Sequence, residues 1–230
     1  MNLYRRSGLA TGVLFIAATA AGVLSLSAQR FVAAPDYLRT ISANEPAVLL
    51  SALLILVMGW AGAGIGIAMY PVLRRHDAAM AFGAASFRVI EAVFDCVGAL
   101  LLLMMVSLSR EFMASGQGDG AQFQRLGTLL LEGRRWVSSL LALPSWCIGA
   151  YLYYSLFYRA RLVPRCLSLW GLAGITLTMI ASALVLSNQL ASESAVQLLL
   201  NLPIALQEMV LAVWLIARGF NPSAAVGPEA

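Results

Sequence analysis

The chain has 230 residues, 60% of them hydrophobic and only 11% charged, which is too apolar and too charge-poor for an ordinary soluble domain of this length. All of its basic charge, and so its net charge of +4, comes from arginine with no lysine. The arginines stand at the ends of apolar runs and not on one soluble basic face, which argues against nucleic acid as a partner and makes the lipid bilayer, with its anionic headgroups, the natural one.

The apolar runs reach or exceed the roughly 20 residues needed to cross the hydrocarbon core. They predict an all-α, polytopic membrane helix bundle of about six spans, near 7–28, 46–70, 81–108, 136–158, 166–187 and 195–217, forming one domain over 1–220. Arg5 and Arg6 precede the first run. Ser25-Leu26-Ser27 resembles a signal-peptide cleavage site, but the run is longer than the usual apolar region of such a peptide and further spans follow, so an uncleaved first span is expected. Gly8 with Gly12, and Ala18 with Gly22, allow close helix approach.

Residues 29–45, with Arg30, Pro35, Asp36, Arg39 and Asn44, read as a polar loop, and Pro46 suits the first turn of the second span. That span contains Gly59-Trp60-Ala61-Gly62-Ala63-Gly64-Ile65-Gly66. The spacing departs from G-x-G-x-x-G and no strand precedes it, so it is not read as a nucleotide loop. Gly62-xxx-Gly66 is a helix-packing surface, and a contact face for a second copy of the chain. Pro71 ends or kinks the span. Arg74, Arg75, His76 and Asp77 form a basic connection to the third span.

The longest connection, 109–135, has glycines at 116, 118 and 120 for a flexible turn. Beyond it, Phe123, Leu126, Leu129 and Leu130 oppose Arg125, Glu132, Arg134 and Arg135. Two readings stand: an amphipathic helix in the interface, or the wet start of the fourth span. Pro144 interrupts that span, and its aromatic second half suits the headgroup belt; the alternative is that Tyr151 or Tyr154 lines a ligand site. Arg159, Arg161 and Arg165 surround Pro164 in a tight turn, placed to contact lipid headgroups. The loop 188–194 has Glu193 and no basic residue. The sixth span carries Asn201, Pro203, Gln207 and Glu208 before Arg218, and 221–230 reads as a disordered tail. Arginine counting favours cytoplasmic N- and C-termini.

Cys96, Cys147 and Cys166 are scattered without C-x-x-C spacing, and His76 is the only histidine. A disulfide framework, a structural zinc site and a bis-histidine haem are therefore not expected, and neither metal nor cofactor is assigned. The polar focus is Phe87-Arg88-Val89-Ile90-Glu91-Ala92-Val93-Phe94-Asp95, in which Arg88, Glu91 and Asp95 share one helix face at i, i+3 and i+7. Charges at the centre of a span cost about 2.5–3.5 kcal/mol each and persist when paired or used. At about 1.5 Å per residue, Glu91 lies roughly 13 Å above the cytoplasmic start of the third span and Glu208 roughly 15 Å above Arg218. We therefore expect Arg88, Glu91, Asp95 and Glu208 to form one intramembrane cluster between the third and sixth spans, with Asn201, Gln207, Tyr151 and Tyr154 as candidate lining. Three acids against one arginine do not balance, so a proton, a cation or another arginine completes the set. The cluster is either a charge staple that fixes helix pairing or a proton, cation or ligand site.

Several blocks resemble a bacterial integral-membrane family known as domain of unknown function 4386. They are Arg5-Arg6-x-Gly8, Phe87-Arg88-x-Ile90-Glu91, Tyr154-x-x-x-Tyr158-Arg159-x-Arg161-Leu162-Val163-Pro164-Arg165, Leu167-Ser168-x-Trp170-Gly171, Pro203-x-x-Leu206-Gln207-Glu208-Met209, and Trp214-Leu215-Ile216 through Gly219-Phe220. The resemblance covers nearly the whole chain. It implies a multi-pass protein of the bacterial inner membrane and supplies no catalytic residues. Three functions remain open: a proton- or cation-linked small-solute transporter or sensor, an intramembrane lipid-modifying enzyme, and a non-catalytic membrane assembly subunit. Buried carboxyls favour the first; the lack of an inverted repeat weighs against alternating access, and the lack of a nucleophile–histidine pair weighs against the enzyme.

Overall fold

A computed structural model of the chain describes residues 2–116, 120–187, 189 and 194–222, and among them there is helix and no strand. Gly118, Glu193 and all of the expected tail beyond residue 222 lie outside the described residues. The helices are α1 (Leu3–Ser25), α2 (Gln29–Val32), α3 (Tyr37–Ala43), α4 (Glu45–Leu73), α5 (Ala78–Ala114), α6 (Gly120–Trp136), α7 (Leu143–Arg159), α8 (Arg165–Leu186) and α9 (Ala195–Arg218). Six stretches are long and apolar enough to cross a bilayer: Leu3–Val32, Glu45–Leu73, Ala78–Ala114, Gly120–Arg159, Arg165–Leu186 and Ala195–Arg218. Large apolar side chains face outward along them, with Leu129 69% exposed, Leu199 67% and Phe82 66%. Such a surface is stable against lipid tails and not against water, so the protein is a multi-pass membrane protein.

The six spans follow one another around a ring in chain order. α1 packs on α4, α4 on α5, α5 on α7, α7 on α8 and α8 on α9, and α9 closes back onto α1. The closure is tight because Gly8 and Gly12 face α9: a Cβ at Gly8 would stand 2.6 Å from Gly219 Cα, and one at Gly12 2.6 Å from the Ala212 carbonyl oxygen. Arg5 completes the seam by donating from Nη1 to the Ile216 carbonyl at 2.5 Å, so a cation meets the negative end of α9. The start of α1 and the end of α9 therefore lie at the same end of the ring.

The interior is packed in two parts. At the terminal end, Phe15, Met69, Tyr153, Tyr154, Phe157, Leu211 and Phe220 belong to one core fed by all six spanning helices. At the far end, Tyr37, Leu38, Ile41, Val48, Leu102 and Phe112 form a second.

This second core corrects the reading of 29–45 as a loop. Tyr37, Leu38 and Ile41 share one face of α3 and are buried, and Ser109 donates its hydroxyl to the Leu38 carbonyl. The segment's arginines and asparagine concealed an apolar face only one turn and a half long. The segment 121–135 resolves toward the wet start of the fourth span: α6 runs into α7 through a π-helical stretch, Val137–Ala142, immediately before Pro144, which lacks the amide that would bond to the Leu140 carbonyl. Pro71 does not end α4; the helix continues to Leu73.

Candidate functional site: a charged cavity in the ring

Arg88 is the fixed point of the site. It projects from α5 and is only 3% exposed, which at membrane depth demands both room and partners. Room comes from glycines on the two flanking helices. A Cβ at Gly66 of α4 would stand 3.0 Å from Arg88 Cβ and 3.1 Å from Ala85 Cα, and one at Gly62 would stand 2.9 Å from Arg88 Nη2. On the other side, a Cβ at Gly149 of α7 would come within 3.5 Å of Arg88 Cγ. The glycine face expected to offer a contact to a second copy is thus occupied within the chain, by α5 at Gly59, Gly62 and Gly66 and by Leu14 of α1 at Gly64.

The partners come from one turn away and from α4. Arg88 Nη1 lies 2.8 Å from Glu91 Oε2, and Nε donates to the Gly62 carbonyl at 3.1 Å. The i, i+3 spacing makes this ion pair nearly local to the helix, so its geometry does not depend on how α9 is placed.

Glu91, Asp95 and Glu208 do not collapse onto one another. They line a cavity of about 530 Å³ together with Arg88 and Asn201, a volume in the range of small-molecule sites. Phe15 and Ile65 belong both to its wall and to the terminal-end core, so the aromatic core is the cavity floor. Buried oxygens point into polar company that the chain itself does not complete: Asp95 Oδ2, Asn201 Oδ1 and Glu208 Oε1 have no hydrogen-bond partner among the described residues. Buried polar atoms left so are few in folded proteins, and each calls for a bound water, ion or ligand, or a function. Among the described residues no three His, Cys, Asp or Glu side chains come close enough together to hold a metal ion.

A staple joins helices that touch, whereas α5 packs chiefly on α4 and α7, and α9 on α1 and α8. Glu208 consequently faces Arg88 across the cavity, within electrostatic reach of it, with no ion-pair contact.

The candidate lining residues divide. Asn201 lines the cavity. Gln207 and Tyr154 do not: Tyr154 donates its hydroxyl to Gln207 Oε1 at 2.5 Å, and Gln207 Nε2 donates to the Leu167 carbonyl at 3.0 Å. They form a buried latch joining α7, α9 and α8. Tyr151 is 54% exposed on the outer face, as an interfacial anchor would be. Arg159 reaches Met80 Sδ at 3.7 Å, away from the other two arginines of its turn; Arg161 and Arg165 line a separate groove at the terminal end.

Sequence reasoning missed Arg134, Phe94 and Trp146, all on the cavity wall. Arg134, from α6, stands on the same wall as the three acids. Its signal was present in the amphipathic pattern of 121–135, but its place depended on α6 continuing into the span through the π-helical stretch, which no periodicity foretells. Phe94 is next to Asp95 in the polar-focus stretch, where its apolar side chain carries no signal of its own.

A family model described as "Domain of unknown function (DUF4386)" matches residues 10–219. No curated protein and no solved structure matches the chain.

Proposed function

Because the chain belongs to the DUF4386 family, whose description assigns no reaction, its function must be argued from the site itself, and we propose that it is a proton- or cation-linked carrier or sensor of a small solute, using the cavity inside the ring. One observation carries the reading: three acids, Glu91 and Asp95 on α5 and Glu208 on α9, share a small-molecule-sized cavity at membrane depth, and Asp95 and Glu208 each keep a buried oxygen without a partner among the described residues. Two carboxyl groups remain after the Arg88–Glu91 pair, and they are the groups that would exchange a proton or bind a cation as the solute enters or leaves. Phe94 and Trp146 give the solute an apolar wall. Pro203 inside α9 and the π-helical stretch before α7 are places where a helix wall can yield, since both interrupt regular backbone bonding. The arginine distribution supports cytoplasmic termini in a bacterial inner membrane, with the cavity extending from mid-depth toward the opposite face through Ser25 and Leu26.

The test uses the purified full chain in proteoliposomes with an entrapped pH indicator, under an imposed proton gradient and with a panel of small alkylammonium ions and neutral solutes outside. The expected result is proton movement above that of empty vesicles in the presence of at least one solute, reduced about tenfold or more in Glu208→Gln and Asp95→Asn. Solute binding without flux, lost in the same variants, would turn the assignment to a sensor. Neither binding nor flux, or flux unaltered in both variants, would overturn it, and lipid turnover in the same vesicles would favour the enzyme.

A further inference from the structure

We propose that the groove at the terminal end of the ring is a binding site for the phosphodiester headgroup of an anionic phospholipid. The groove has a volume of about 590 Å³ and lies between the α7–α8 turn and the end of α9. Arg161 and Arg165 stand on one side and Arg218 on the other, and among the described residues no acidic side chain is part of its wall. Three guanidinium groups around one recess repel unless an anion completes it, and planar guanidinium forks match phosphate oxygens in pairs.

The recess is built and not a chance gathering of surface arginines. Leu162 and Val163 are buried beneath the turn. The Asn221 amide donates to the Leu162 carbonyl at 2.8 Å, and its side-chain nitrogen donates to the Arg161 carbonyl at 3.4 Å, so the segment after α9 ties the two walls together. Arg165 is held with its guanidinium 5.1 Å from the centre of the Tyr158 ring, a cation–π distance. Arg161 has φ of 52°, the one positive φ outside glycine among the described residues. A left-handed conformation in a residue with a Cβ costs free energy and tends to persist where the side chain's direction matters.

The position selects lipid over a soluble phosphate. The groove is at the ends of α7, α8 and α9, where those spans leave the apolar layer, and Trp214, one turn before Arg218, forms part of its wall. Indole at that depth sits in the headgroup belt, beside the glycerol and upper acyl region of a bound lipid. Arg159 takes no part, since it turns toward Met80.

The proposal does not depend on what the inner cavity does. Its test is native mass spectrometry of the full chain released from mixed micelles of phosphatidylglycerol and phosphatidylcholine. The wild type is expected to retain phosphatidylglycerol preferentially. Arg161→Gln with Arg218→Gln should lower that preference by about fivefold for each arginine, and the corresponding lysine pair should keep part of it. Arg74→Gln with Arg75→Gln removes the same charge from the same end of the molecule and should leave the preference in place. Melting temperature separates loss of binding from loss of fold. Equal loss in both glutamine pairs would mean diffuse surface charge and overturn the site, as would a wild type without preference. Displacement of the lipid by excess glycerol phosphate would also overturn the lipid assignment and make the ligand a soluble phosphate ester.

Discussion

The protein has two polar recesses of similar size, about 530 Å³ inside the ring and about 590 Å³ at its terminal end, and they are made in opposite ways. The inner one holds short acidic side chains and the buried Arg88–Glu91 ion pair, in a space opened by glycines on α4 and α7. The outer one holds long arginines whose heads are exposed, over a floor of buried apolar residues. In the first, each charge has left water and its energy depends on every neighbour; in the second, each charge is still solvated and contributes mainly to what it attracts. Depth, more than the number of charges, decides which recess is bound up with stability and which can be altered freely.

The largest expected effect follows from that difference. Arg88→Met should destabilise the protein by about 3–5 kcal/mol, because it leaves Glu91 buried without its partner. Arg88→Met with Glu91→Leu should recover most of the loss, since a buried pair exchanged for apolar residues of similar volume is often neutral. The matching pair in the groove, Arg161→Gln with Arg218→Gln, should change stability by no more than about 0.5 kcal/mol per residue. Denaturant unfolding in mixed micelles measures all of these. A stable double variant that has lost flux marks the pair as part of the working site; one that retains flux leaves Asp95 and Glu208 to carry it alone.

How much of this was legible in the sequence varies with the range of the interaction. The spans were readable because twenty apolar residues have few alternatives, and the Arg88–Glu91 pair because i, i+3 residues meet within one helix. The common depth of Glu91 and Glu208 followed from the rise per residue. What the chain could not display was the space between them, which arises from ring closure of α9 on α1 and from the core beneath it, made by residues on all six spans. Tyr154 and Gln207 carry the same lesson. Both are polar residues in apolar spans and both looked fit to line a site, yet each satisfies the other, whereas Asn201, six residues before Gln207 on α9, opens on the cavity. Helix periodicity gives the face of a residue, and only packing tells whether that face meets a partner or a void.

That latch lies between the two recesses and gives an effect of middle size. Tyr154→Phe removes the hydroxyl that Gln207 Oε1 accepts from and leaves the oxygen buried, at a cost of about 1–3 kcal/mol. The loss should appear in unfolding midpoints and not in solute-dependent flux, because neither residue is on the cavity wall. A selective loss of flux in a variant of unchanged stability would move Tyr154 into the site and blur the boundary between latch and cavity.

The smallest effect concerns His76, which lies in the turn between α4 and α5, at the same end of the ring as the groove. Burial, helped by the neighbouring Arg75, holds its pKa below the ordinary value of 6.5, and its Nε2 is buried without a hydrogen-bond partner. The folded protein therefore binds fewer protons here than the unfolded chain does, so stability rises with pH across this window. The contribution is complete above about 6.5 and falls as the pH drops below that value, until the folded-state ring also takes up its proton. His76→Gln should flatten this slope in unfolding curves between neutral and mildly acidic pH. Arginine does not titrate in the same range, so the groove's preference for anionic lipid should stay constant while stability declines. A lipid preference that followed the His76 slope would show that the charge felt by the headgroup comes from the whole face and not from Arg161, Arg165 and Arg218.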